Sequence, residues 1–278
     1  MTVGIVTGAA RGMGAACARR VADLVDVLLL ADRDAEALDR TVERLATEPV
    51  RAELEPVTLD VTERDGVARL FARAAESGSL RAVVHSAGVS PTMGDWREMI
   101  LVDLVGTALI VDACRQPATV GTAIVCFASM APLLAMTDVD VAADAVLDDP
   151  LDDRFLDRIR EAVGPELEDS GTAYTWAKRG VQRLVRRQAT AFGQVGARIC
   201  SVSPGIIDTP MGKQEAAARP TSDMLVQLSP LGREGAADEV AAAVAFLLSD
   251  EGSFVTGIDL AVDGGIVAAI RSGTTRAT

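Results

Sequence analysis

The run Val3-Gly4-Ile5-Val6-Thr7-Gly8-Ala9-Ala10-Arg11-Gly12-Met13-Gly14 passes directly into Ala15-Ala16-Cys17-Ala18-Arg19-Arg20-Val21-Ala22. Residues 3–6 read as a short β-branched strand, the glycines as a loop, and 15–22 as helix-forming composition. Strand, glycine loop and helix, in that order, make a pyrophosphate site. The glycines let the backbone approach the phosphates, and the amides and positive dipole end of the helix attract them. A second apolar strand, 27–31, ends at Asp32, eighteen residues after Gly14. A carboxylate there accepts hydrogen bonds from an adenosine ribose diol and repels a 2′-phosphate, which favours NAD over NADP even with Arg33 alongside. Asp34 is better placed than Asp32 to cap a helix over 34–47.

Working outward, the same alternation recurs. Residues 53–59 read as a third strand closed by Asp60, 63–77 as a helix, and 82–85 as a fourth strand opening into Ser86-Ala87-Gly88. Residues 99–114 read as one long helix with Leu101, Leu104, Val105, Ala108 and Val111 at core spacing, and 122–127 as a fifth strand. Repeated βα units predict an α/β fold: one Rossmann-type, doubly wound parallel sheet of about seven strands, covered on both faces by helices. Ligands bind such sheets at the carboxyl ends of the strands. Gly8, Asp32, Asp60, Gly88 and Ser129 all fall at such ends and converge on one crevice.

Composition narrows the chemistry. The chain has 278 residues and a formal charge of −13, which repels nucleic-acid phosphates and anionic membrane surfaces and favours a small-molecule substrate. Cys17, Cys114, Cys126 and Cys200 are isolated, lack C-x-x-C spacing and read as reduced, packed thiols, so neither a disulfide framework nor a metal site is expected. The chain opens on a strand rather than a secretory signal, and no apolar run reaches membrane-spanning length; a cytoplasmic protein is expected.

Downstream lies Ser170-Gly171-Thr172-Ala173-Tyr174-Thr175-Trp176-Ala177-Lys178, which contains the only tyrosine of the chain. On a helix, Tyr174 and Lys178 stand one turn apart on one face. A nearby cation favours the phenolate, so the pair is able to exchange a proton with an alcohol or carbonyl. His85, the only histidine, reads as a strand-end residue that packs and hydrogen-bonds locally.

Taken in order, these residues resemble the short-chain dehydrogenase/reductase family over nearly the whole chain. Thr7-Gly8-x-x-x-Gly12-x-Gly14 resembles its cofactor loop, with Arg11 and Met13 inside it, and Asp60-Val61 its adenine-contacting pair. His85-Ser86-Ala87-Gly88 resembles its Asn-Asn-Ala-Gly segment with the first two residues changed. Ser129 resembles its catalytic serine, and Tyr174-x-x-x-Lys178 its signature pair. Ser203-Pro204-Gly205-Ile206-Ile207-Asp208-Thr209 resembles the segment that holds the nicotinamide carboxamide, through Pro204, Gly205, Ile207 and Thr209. The resemblance implies that Tyr174 exchanges the proton on the substrate oxygen, that Ser129 hydrogen-bonds that oxygen, and that Lys178 binds the nicotinamide ribose while acting on the phenol.

The chain departs from the family pattern at two places. Where the family carries an Asn that holds a water leading to the lysine, this chain has Asp103, expected to pair with Lys178, partly cancel its field and leave Tyr174 more basic. Ser129 and Tyr174 are 45 residues apart, against a little over a dozen in the family, which implies an insert near 136–169. Residues 138–169 hold twelve acidic and three basic residues, a net −9. Within them Asp149-Pro150 reads as the start of a helix with Leu151, Phe155, Leu156, Ile159 and Val163 on one stripe, ended by Gly164-Pro165. A similar insert marks the 3α-hydroxysteroid dehydrogenase/carbonyl reductase subgroup, so self-association through Phe155, Leu156 and Ile159 is expected, with a homo-oligomer as the result.

Residues 211–230 lack periodicity and read as a mobile substrate lid with Met211, Met224 and Leu225 inward; the tail beyond Ile270 reads as frayed. The function these features predict is NAD-dependent interconversion of an apolar secondary alcohol, such as a steroid, and its ketone. The competing readings are a catalytically silent dinucleotide-binding sensor or scaffold, which loss of Ser129, Tyr174 or Lys178 would favour, and a lyase or dehalogenase, which loss of the cofactor glycines would favour.

Overall fold

The computed structural model describes residues 1–135, 140–218 and 221–273, with the backbone alone at 221–223. Strands and helices alternate from the start: β1 (Thr2–Thr7), α1 (Gly12–Val21), β2 (Val27–Asp32), α2 (Ala35–Ala46), β3 (Glu53–Thr58), α3 (Arg64–Ser77) and β4 (Ser79–His85). Next come α4 (Trp96–Ile100), a π-helical stretch (Leu101–Gly106), α5 (Thr107–Arg115), β5 (Ala123–Phe127), α6 (Ala131–Ala135), α7 (Val141–Leu147), α8 (Phe155–Val163), a 3₁₀ turn (Pro165–Glu168) and α9 (Ser170–Gln194). The chain continues through β6 (Arg198–Pro204), β7 (Ile207–Asp208), α10 (Pro210–Ala218), α11 (Thr221–Leu228), β8 (Gly235–Ala236), α12 (Ala237–Leu248), β9 (Asp259–Val262) and α13 (Ile266–Ser272).

Seven strands form one parallel sheet in the order β3-β2-β1-β4-β5-β6-β9, and β7 pairs with β8 outside it. The alternation of side chains along each strand feeds two cores. Val3 and Ile5 of β1, with Val27 and Leu29 of β2, join α3, α5 and α9 on one face; Val6, Leu28 and Leu30 join α1, α2 and α12 on the other. Burial on both faces explains why these strands read as unbroken apolar runs. The strand order reverses between β1 and β4, and the crevice outside their carboxyl ends is where such sheets take ligands. No described helix is long and apolar enough to cross a membrane.

Four expectations need correction. The helix expected over 99–114 is two α-helices separated by the π-helical stretch, whose extra residue per turn shifts the phase of the apolar stripe: Leu104, Ala108 and Val111 are buried, while Leu101 and Val105 are only half-buried. Residues 211–230 carry α10 and α11 rather than a loop. Helix α10 has no buried residue, so it has no stripe for periodicity to detect. Met224 faces outward at 56% exposure, whereas Leu225 packs towards Met130, Ile266 and Val267. At the C-terminus, Arg271 and Ser272 belong to α13, and 274–278 lie outside the described residues.

The fourth correction concerns the insert, of which 136–139 lie outside the described residues. Helix α8 starts at Phe155 rather than at Pro150, because 149–154 form the turns that reverse the chain from α7. Two residues of its stripe are not available to another subunit: Phe155 and Ile159 are 2% and 0% exposed and join the core that contains Ala173, Ala177 and Val181 of α9, while Leu156 and Val163 are half-buried. Asp144 of α7 and Asp148 just after it likewise turn inward. Asp144 accepts from Arg179 at 2.6 and 2.7 Å and pairs with Arg183 at 2.9 Å, and Asp148 engages Arg183 at 2.9 Å and Arg187 at 3.0 Å.

The Arg179 hydrogen bonds, followed by the charges of Arg179 and Arg183, hold the Asp144 carboxyl below its usual range against the opposing effect of burial. A carboxyl lowered in the folded state stabilises at pH above its unfolded value, about 3.9, and that contribution is lost as pH falls through the folded value. Asp144→Asn is expected to cost about 2 kcal/mol at neutral pH, discounted because both arginines are partly exposed. Thermal unfolding of parent and variant should differ at neutral pH and converge in acid; equal stability at neutral pH would rule out the pair as a clamp on α7.

Candidate active site

The glycine loop is bare where backbone meets backbone. Gly8 and Gly12 have φ of +69° and +57°, conformations that favour glycine. A β-carbon on Gly14 would stand 1.9 Å from the Gly8 carbonyl oxygen, and one on Gly8 would stand 2.6 Å from the Ala87 amide. Arg11 precedes α1 without any side-chain cap, and its guanidinium pairs with Asp34. Met13 packs into the core beneath the loop. Thr209 lies beside Gly12, its β-carbon 3.6 Å from where a Gly12 side chain would begin, and accepts from the Gly212 amide at 3.0 Å.

Asp32 ends β2 with both oxygens held: Oδ2 accepts from the Ala10 amide and Oδ1 from the Asp34 amide, each at 3.0 Å. Asp34, not Asp32, caps α2 by accepting from the Ala37 amide. Asp60 is exposed and accepts from the Thr62 amide and hydroxyl at 2.9 and 2.7 Å, while Val61 is buried against Gly106. On the far side of the crevice the Gly205 amide donates to Val262 at 3.0 Å, and a side chain at 205 would strike Asp263 at 2.7 Å. Pro204 ends β6, and Ile207 is buried. Ala87 donates weakly to the Thr7 hydroxyl at 3.5 Å, which joins the ends of β1 and β4.

The candidate catalytic side chains come together where β5 ends against α9. Ser129, 8% exposed, accepts from the Ala131 amide at 3.2 Å and stands close enough to the Tyr174 phenol to act on its ionisation. Lys178 Nζ lies 5.6 Å from the centre of the Tyr174 ring, donates to the Phe127 carbonyl at 3.1 Å and is 3.4 Å from Asp103 Oδ1. Gly88 lies against this pair, since a side chain there would begin 2.7 Å from Asp103 Oδ1 and 3.4 Å from Lys178 Nζ. Burial first, and Asp103 second, push the Tyr174 phenol above its ordinary value, with the Ser129 hydrogen bond opposing.

His85 is structural. Thr107 spends its one hydroxyl hydrogen on the Asp103 carbonyl at 2.7 Å, so it accepts from His85 Nε2 at 3.0 Å. His85 Nδ1 then carries the lone pair and accepts from the Thr7 hydroxyl at 2.7 Å. Burial, and then Lys178, hold this imidazole down to about 3, so it is neutral throughout the physiological range.

One group of residues was not anticipated. Gln182 Nε2 lies 3.2 Å from the Ser129 carbonyl, 3.0 Å from Ser203 Oγ and 3.1 Å from Asp259 Oδ2, and Ser201 and Ser203 both donate to Asp259. Gln182 stands four residues beyond Lys178 and eight beyond Tyr174, so helical spacing could have placed it on the same face. Nothing local to Asp259 announces it, because the contact depends on β9 pairing with β6.

Comparison with known proteins finds relatives along nearly the whole chain. A family profile described as enoyl-(acyl carrier protein) reductase matches residues 8–145 and 162–267. Cis-4-hydroxycyclohexanecarboxylate dehydrogenase of Sinomonas cyclohexanicum is 35% identical over 277 residues, which cover 96% of this chain and 96% of that protein. A short-chain dehydrogenase/reductase, bsc3, of Alternaria brassicicola is 33% identical over 268 residues, covering 95% of each. The fold is shared with the structure of a short-chain type dehydrogenase/reductase from Mycobacterium ulcerans, at a TM-score of 0.76 and 24% identity over 96% of this chain and 90% of that one.

Proposed function

The chain belongs to the short-chain dehydrogenase/reductase family, and on that premise we propose that it interconverts an apolar secondary alcohol and its ketone with NAD, through Ser129, Tyr174 and Lys178. At the coarser level it is an oxidoreductase of secondary alcohols whose family uses NAD or NADP. The cradle left by Gly8, Gly12 and Gly14, which side chains would fill, fits the pyrophosphate of such a dinucleotide. Arg11 and Met13 flank it, Asp32 takes the ribose, Asp60 and Val61 line the adenine side, and Ala87 and Gly88 line the dinucleotide crevice, Gly88 beside Asp103 and Lys178. Pro204, Gly205, Ile207 and Thr209 hold the nicotinamide end. When bound, the nicotinamide ring supplies or accepts a hydride.

The residues of the chain handle the proton. Tyr174 gives the substrate oxygen its proton in reduction and removes it in oxidation, Ser129 holds that oxygen by its hydroxyl, and Lys178 stabilises the phenolate while binding the nicotinamide ribose. The preference for NAD is supported by the Asp32 carboxylate together with its surroundings: Arg33 is 3.5 Å from Glu98 and Arg11 is paired with Asp34, so both nearby guanidiniums already face carboxylates. An apolar substrate is supported by the cluster of Met130, Ile266 and Val267 with Leu133, Leu134, Ile206 and Leu225, which joins α6 and α13 to the 211–230 segment proposed as the lid. Steroids are members of that class. The four cysteines are free and buried, in keeping with a cytoplasmic enzyme.

The observation that carries this reading is the meeting of the Ser129 hydroxyl, the Tyr174 phenol and the Lys178 ammonium beside the glycine cradle. The test is the near-ultraviolet absorbance of reduced nicotinamide with NAD or NADP and a panel of cyclic alcohols, steroids and their ketones. Turnover with NAD exceeding that with NADP is expected. Dinucleotide binding with no turnover across the panel would instead favour the silent sensor.

A further inference from the structure

A single ammonium serves two neighbours in this site. Asp103 is fully buried in the π-helical stretch, with Oδ1 accepting from the Val89 amide at 3.0 Å and lying 3.4 Å from Lys178 Nζ. Its Oδ2 is buried without a hydrogen-bond partner among the described residues. On the other side of the same ammonium lies the Tyr174 ring, 5.6 Å from Nζ to its centre. Lys178 is 4% exposed, so the two anionic claims on its charge are not screened by bulk water.

We propose that Asp103 offsets the Lys178 charge at Tyr174 and so keeps the phenol a proton donor at neutral pH, setting the site for carbonyl reduction there and for alcohol oxidation in alkali. This rests on the oxidoreductase reading above. In reduction the carbonyl carbon takes up a hydride from reduced nicotinamide, which is thereby oxidised. The C=O π pair moves to oxygen, the Tyr174 O–H bond breaks to protonate that oxygen, and phenolate remains. In oxidation the phenolate must already be present to take the proton of the alcohol, and a carboxylate beside the lysine makes phenolate scarcer. Asp103 is thus a positioning residue, acting through the charge it shares.

The other groups facing this centre do not substitute for it. His85 of β4 is neutral, and Cys126 of β5 is pushed up to about 12 by burial, then by Cys200, against the pull of Lys178. Glu215 of α10 acts on the phenol in the same direction as Asp103, so removing Asp103 alone isolates its share. Burial lifts the Asp103 carboxyl above its usual range against the opposing pull of Lys178 and the Val89 amide, and that carboxyl acts on the phenol in its ionised form.

Because Tyr174 is the only tyrosine, phenolate absorbance titrates this one side chain with no substrate present. The isosteric Asp103→Asn is expected to bring the transition down by about one pH unit, or about tenfold more phenolate at a fixed pH below it. Asp103→Ser should move it the same way and serves if the amide variant folds poorly. The ratio of ketone reduction to alcohol oxidation at neutral pH should fall with it. Transitions at the parent's pH or higher in both variants, including ionisation only on unfolding alongside the parent, would overturn the proposal. A lowered transition in a protein that turns over no alcohol would leave this inference standing and remove the oxidoreductase reading instead.

Discussion

Tyr174→Phe is expected to lower turnover by about 10²- to 10⁴-fold, the usual contribution of a positioned proton donor, while dinucleotide binding stays near the parent value. The substitution removes one oxygen and keeps the ring. Tyr174 is half-buried and packs against the core that contains Ala173 and Ala177, contacts a phenylalanine retains. The hydroxyl lies beside Ser129, whose oxygen keeps the Ala131 amide as a partner when the phenol is gone. Loss of activity through unfolding is therefore not expected, and thermal unfolding measured alongside dinucleotide binding separates the two causes. Turnover surviving in a folded, dinucleotide-binding Tyr174→Phe protein would remove the phenol from the chemistry and leave the geometry of Ser129 and Lys178 without its reaction.

The second large effect is steric. Gly14→Ala would place a β-carbon 1.9 Å from the Gly8 carbonyl oxygen, 2.6 Å from Ser86 Oγ and 2.7 Å from the Gly8 carbonyl carbon. Two of these three contacts are with backbone, so no side-chain rotation relieves them and the loop must open. Overpacking of this kind costs about 1–3 kcal/mol or more, and the displaced loop is the one proposed to approach the pyrophosphate. The expected result is loss of dinucleotide binding together with a lower melting temperature. Gly193→Ala, in α9 with nothing within 4 Å of the new carbon, is the control: it should stabilise by about 0.5–1 kcal/mol and leave binding unchanged. Dinucleotide affinity equal to the parent in Gly14→Ala would show that the loop is not the cradle.

The parallel sheet was legible because its signal is local and repeated. Residues 3–6, 27–31 and 82–85 are apolar runs closed by Gly8, Asp32 and Gly88, and each such unit has one right-handed way to pack. The pairing of Tyr174 with Lys178 was legible for the same reason, as one helical turn fixes their separation whatever surrounds them. The misreadings share a cause as well. Amphipathic spacing states that Phe155 and Ile159 need cover but not what covers them, and helix α10 gives no spacing because it buries nothing.

Local patterning along the chain carried the strands, the glycine loop, the carboxylate at the end of β2 and the spacing of Tyr174 and Lys178, each of which depends on residues within a few positions of one another. Folding in three dimensions was needed to show that Asp144 and Asp148 of the insert meet the arginines of α9, that His85 is held neutral between two threonines, that Gln182 links the Ser129 carbonyl to Asp259, and that Asp103 touches Lys178. Those contacts join residues 22 to 78 positions apart. A charge or hydrogen bond acts across a few ångströms of space, and no periodicity along the chain records which distant side chain will occupy them.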